Sequence, residues 1–100
     1  MPKVNIAKKN ITQNKIQHPD FYNVIMLNDD FTSMDFVVKI LKLFFNMNTI
    51  NANSIMLKIH NTGQAICGIY PFEVAETKIL EVTSFAKQNG YPLKSIMKKI

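Results

Sequence analysis

Six segments of this 100-residue chain carry a clear rhythm of apolar and polar positions, each bounded by turn-forming residues. Residues 22–27 have strand composition with apolar side chains on both faces, which predicts a largely buried strand. Thr32 and Asp35 then stand three apart, a short-acid capping box that predicts a helix opened by Thr32 and ending near Asn46. Its apolar stripe is Val37, Ile40, Leu41 and Phe44, with Lys39 and Lys42 outside it. Thr49 is placed to cap a second helix, where Ala52, Ile55, Met56 and Ile59 follow the i, i+3, i+4, i+7 rule and Gly63 supplies the stop. Residues 64–70 read as a second strand, with Gly68 marking a close approach. Pro71 separates it from a third helix over residues 72–89, striped by Ala75, Ile79, Val82 and Ala86 and ended by Asn89-Gly90. Residues 92–97 read as a final, edge-like strand.

The order is strand, helix, helix, strand, helix, strand, without an internal repeat. Strands joined by helical connections cannot form a sandwich. The expectation is an α+β unit: a small three-stranded antiparallel sheet with three helices packed on one side. Residues 1–20 are polar, rich in Asn, Gln and Lys, and weakly periodic. They read as a flexible extension, leaving residues 21–100 as one core domain.

Composition narrows the class. At 47% hydrophobic the chain suits a folded domain and not a disordered one. No apolar run approaches the ~20 residues of a membrane span. The first twenty residues lack a secretory h-region. The single cysteine, Cys67, offers no intrachain disulfide and fits a reducing cytosol, so a cytoplasmic protein is expected. The net charge of +5 comes from twelve lysines and no arginine, gathered toward the ends: Lys3, Lys8, Lys9 and Lys15 at one, Lys94, Lys98 and Lys99 at the other. Basic ends suit phosphate or an acidic partner, which keeps a small nucleic-acid- or ribosome-associated domain as the alternative reading. Base-specific readout is not expected without arginine forks.

The chemistry concentrates at Asn28-Asp29-Asp30, where an apolar run ends in two adjacent carboxylates and a helix begins. Two acids at a strand end repel and need solvent or a positive partner. As loop chemistry alone, Asx turns and helix N-terminal charge effects account for them. His60, at the end of the second helix, is a favourable dipole partner there, or else it faces the acids and joins a polar cluster. Met34 and Met56 are core filler, or they are an adaptable apolar socket beside those acceptors. A metal is not expected: the acids lack calcium-loop spacing, and one histidine with one cysteine makes no zinc cage. Cys67 sits mid-strand between Ile66 and Gly68, where a cysteine is a small buried hydrophobe and not a nucleophile.

Four separated stretches, 27–37, 56–60, 63–71 and 73–78, together resemble the ClpS adaptor family. They read Leu-Asn-Asp-Asp-Phe-Thr-x-Met-Asp-Phe-Val, Met-Leu-x-Ile-His, Gly-x-x-Ile-Cys-Gly-Ile-Tyr-Pro and Glu-Val-Ala-Glu-Thr-Lys. The resemblance implies a non-enzymatic, cofactor-free adaptor of the bacterial N-end rule pathway. Such adaptors hold proteins that begin with Leu, Phe, Tyr or Trp and deliver them to the AAA+ unfoldase ClpA or ClpC of the Clp protease. By position it implies that Asn28, Asp30 and His60 contact the free α-amino group, with Asp29 adding negative potential. Thr32, Met34, Val37, Met56, Ile59 and Leu93 would line the pocket for the first side chain, Met34 acting as gatekeeper against β-branched residues. Glu73 and Lys78 would dock on the unfoldase's N-terminal domain, and the extension would engage the unfoldase during delivery. A monomer without membrane contact is expected. Ser33 stands where the family often has proline and Phe31 where it often has tyrosine; a serine at the first helical position is acceptable.

Overall fold

The computed structural model describes residues 20–100; the expected extension lies outside them but for Asp20. The elements run β1 (Phe21–Leu27), α1 (Met34–Phe44), α2 (Thr49–Thr62), β2 (Gln64–Pro71), α3 (Phe72–Gln88) and β3 (Lys94–Lys99). β1 is the central strand, antiparallel to β2 on one side and β3 on the other. The three helices lie on one face, and the α+β order read from the rhythm is the observed one.

Alternation on β1 divides the sheet. Val24 and Met26 point to the helices and are fully buried with Ile40 and Leu41 of α1, Ala52 and Ile59 of α2, and Ala75, Val82 and Ala86 of α3. Each large aliphatic side chain so buried contributes about 1.5–3 kcal/mol. The Phe36 ring lies 4.4 Å from the Tyr91 ring, tilted by 36°, and stacks on Phe85 at 5.8 Å. Phe44, Ile55, Met56 and Ile79 pack against this core only half-buried.

Most element ends shift by one or two residues from the expectation, β3 running on to Lys99 instead of residue 97, and three of the starts have a side-chain or backbone reason. Ser33, not Thr32, caps α1: its Oγ accepts from the Phe36 N–H at 3.2 Å. The Thr32 hydroxyl is instead turned back to Asp29, to which it donates at 2.7 Å. Ser33 is accordingly the cap and not the first helical residue. Asn48, not Thr49, caps α2, its side-chain oxygen accepting from the Asn51 N–H at 2.8 Å. Thr49 is the first helical residue, and its hydroxyl accepts from the Lys42 ammonium at 2.9 Å. β3 begins at Lys94 instead of residue 92, since Pro92 has no N–H to give a ladder and pairing with β1 starts at Leu27 opposite Lys94. α1 stops at Phe44, where Asn46 turns left-handed at φ 56°.

Two glycine readings hold. Gly63 ends α2 at φ 94°, its N–H donating to the Ile59 carbonyl at 2.9 Å. At Gly68 a Cβ would stand 2.5 Å from the Tyr70 ring, beside a bulge that leaves Cys67 as the extra residue of β2. Cys67 is buried, and that burial pushes its thiol up to about 12. Among the described residues no helix is long and apolar enough to cross a membrane.

Candidate binding hollow at the end of the central strand

Past Leu27 the chain leaves the sheet, and one backbone bond fixes where it goes. The Asn28 N–H donates to the Gly63 carbonyl at 2.9 Å, tying the end of β1 to the end of α2. That bond holds the acid turn against the last turn of α2, which carries His60.

Asp29 shapes the turn. One carboxylate oxygen accepts from the Phe31 N–H at 2.8 Å and the Thr32 N–H at 2.7 Å, and the other accepts from the Thr32 hydroxyl at 2.7 Å. Partial burial alone would raise this carboxyl; the three donors outweigh it and hold Asp29 below the ordinary aspartate value. Asp29 therefore stays ionised, and its oxygens are engaged in the turn. Asp30 is exposed beside it.

Between this turn and the two helices lies a hollow of about 310 Å³. Asn28, Asp30 and His60 form its polar rim. Met34 and Val37 from α1 and Met56 and Ile59 from α2 give it apolar walls, with Asp29 and Thr32 closing the remaining side. Nine of the ten residues expected to act together thus line one space. Leu93 does not: it is 3% exposed and belongs to the core, where the segment before β3 packs under the helices. Ser33 lines the hollow as well. The sequence reading missed it as a wall residue, although a serine one position before Met34 was a signal of helix entry. Glu73 and Lys78 sit together elsewhere, around a shallow surface hollow at the start of α3 with Val74, Thr77 and Glu81. The Lys78 ammonium lies 5.9 Å from the Tyr70 ring centroid.

This arrangement has the chemistry to bind a cation joined to an apolar group. An ammonium brings three donors and one charge; an amide oxygen, a carboxylate and an imidazole nitrogen supply acceptors within one rim. The apolar walls take a hydrophobic group attached to that cation. Cys67, sunk in the core with its thiol held protonated, is not part of the lining. Fold and site define a small α+β binding domain for a ligand with a cationic head and an apolar side group.

Known proteins agree with that class. The family model described as ATP-dependent Clp protease adaptor protein ClpS matches residues 17–96. The ATP-dependent Clp protease adapter protein ClpS of Shewanella loihica is 48% identical over 87% of this chain and 85% of its own. Its counterpart in Brucella canis is 49% identical over 88% of this chain and 76% of its own. The solved structure of Agrobacterium tumefaciens ClpS2 bound to L-phenylalaninamide superposes with a TM-score of 0.80 at 34% identity, covering 83% of this chain and all of that one. The chain belongs to the ClpS family of Clp protease adaptors. It is an adaptor and not an enzyme, and the Clp protease is the machinery it serves. A nucleic-acid-binding role draws no support from these relatives.

Proposed function

We propose that this adaptor captures proteins beginning with Leu, Phe, Tyr or Trp and delivers them to the AAA+ unfoldase ClpA or ClpC in the cytoplasm. The observation that carries this is the hollow itself, which unites an acceptor rim with the apolar faces of two helices. The α-ammonium of the incoming chain sits against Asn28, Asp30 and His60. Asp29 supplies negative potential from behind, its own oxygens being taken by Phe31 and Thr32. The first side chain enters among Met34, Val37, Met56 and Ile59, beside Thr32. A relative that holds L-phenylalaninamide, one amino group on one aromatic residue, supports the same reading.

Magnitudes agree with an adaptor that must release cargo. Charge-assisted hydrogen bonds contribute about 1.5–3 kcal/mol each, and burial of a Leu or Phe side chain about the same. Ordering a short peptide removes part of this, leaving affinity on the order of micromolar. Glu73 and Lys78 dock on the N-terminal domain of the unfoldase, with the adaptor a monomer and residues 1–20 engaging the unfoldase during delivery. Titration with a peptide starting with Phe and with its N-acetylated twin tests the capture step. The free peptide binds and the acetylated one does not; equal binding of the two overturns the ammonium assignment.

A further inference from the structure

The helices cover one face of the sheet, and the other face is unusually apolar. Register sets Ile66, Ile25 and Ile96 side by side across β2, β1 and β3, and directly paired antiparallel residues share a face. Ile25 is only 5% exposed, yet it stands apart from the cluster that Val24 and Met26 form with the helices. Its shielding comes from its two flanking isoleucines, which remain 47% and 39% exposed. Phe21 and Ile69 continue the strip. An antiparallel sheet open to water on one side ordinarily carries polar residues there, and a contiguous apolar strip marks an interaction surface.

Charge selects the occupant. Lys94 and Lys98 project from β3 on this face, opposite Leu27 and Asn23, and none of the three strands contains a carboxylate. At the Leu27 end the face runs into a hollow of about 280 Å³ lined by Leu27, Phe31, Pro92 and Lys94 together with Asn28 and Asp29. Phe31 is 79% exposed at its edge. The Asp29 carboxylate on its wall is already committed to Phe31 and Thr32. A second copy meeting this face about a twofold axis would set a lysine-flanked patch on its own image. Residues 1–19 hold four lysines and no acid. Both candidates have the wrong sign.

We infer that the outward face of the sheet docks an acidic amphipathic segment of another protein. Its apolar side sits along the isoleucine row, an anchoring side chain occupies the hollow beside Phe31, and its carboxylates meet Lys94 and Lys98. Asn28 and Asp29 border both hollows, but the face lies across the sheet from Met34, Val37, Met56 and Ile59, which wall only the first, so cargo and this partner bind at once.

The probe is an N-acetylated helical peptide with Leu along one side and Glu along the other, set against a twin with Lys in place of Glu. Both are titrated into the full chain and followed by backbone amide NMR. The Glu peptide shifts Ile25, Ile66 and Ile96, the Lys twin does not, and affinity for a peptide starting with Phe is unchanged. The pair Lys94→Glu, Lys98→Glu weakens binding roughly tenfold or more, and Ile96→Ser weakens it independently of charge. No binding of the Glu peptide, equal binding of the twin, or shifts centred on the helices overturns the inference. So does a concentration-dependent dimer that protects the same isoleucines, which would make the occupant a second copy.

Discussion

Adjacent aspartates in this chain have different work, and the division follows from which oxygens are free. Asp29 is bound into the turn by three donors, whereas Asp30 faces solvent on the rim of the hollow. Under the proposed function, Asp30→Ala and His60→Ala each remove an acceptor for the incoming ammonium. Isothermal titration with a peptide starting with Phe shows each weakened by about 1.5–3 kcal/mol, while the thermal midpoint stays with that of the wild type. Asp29→Asn acts on stability. Its folded value is depressed, so its stabilisation is fully present above the unfolded value near 3.8 and is lost as pH falls through the lower folded value. Urea unfolding midpoints across acidic pH show a wild type more stable than the variant at neutral pH and a gap that closes below pH ~4. The acid pair was visible in the sequence as an anomaly. Which of the two is structural was not, because that depends on how Thr32 is turned.

Elements were placed by periodicity and their ends by side-chain competition. Thr32 and Thr49 are both acceptable caps by type. In each case the neighbour makes the cap bond, Ser33 to Phe36 and Asn48 to Asn51, while the threonine hydroxyl points elsewhere, Thr32 to Asp29 and Thr49 to Lys42. Asn48→Ala therefore costs about 1 kcal/mol of stability in chemical denaturation, within the usual 0.5–2 kcal/mol for a cap. Thr49→Ala, which removes only an exposed contact to a lysine, costs far less. An equal loss from both would return the cap to Thr49. Gly63 and Gly90 were legible as helix stops because only a left-handed residue ends those helices, with φ 94° and 79°. The start of β3 was not, since Pro92 and Leu93 have strand-like composition and only the ladder with β1 tells where pairing begins.

For the whole molecule, the core under the sheet holds the hollow's walls in place. Ile40 of α1 is fully buried in the core that β1 and the helices share, and Ile40→Ala costs about 2–5 kcal/mol in urea unfolding, a large share of the stability of a domain this size. Cys67 shares that core; in the native protein it resists alkylation at pH 8 and reacts once denaturant is added, and rapid native labelling would contradict its burial. Local information in the chain determined the element types, their order, the α+β class and the acid turn as the place where chemistry concentrates, while its meeting with Met34, Met56 and His60 waited on the tertiary fold. Periodicity, turn residues and residue chemistry are carried within a few positions, so no partner strand was needed to read them. Tertiary structure alone decided that Leu93 belongs to the core and Ser33 to the hollow, that Asp29 is spent on its own turn, and that an isoleucine row faces water. Those outcomes depend on register, on the bond from Asn28 to Gly63 and on which face the helices cover, and these bring together residues distant along the chain.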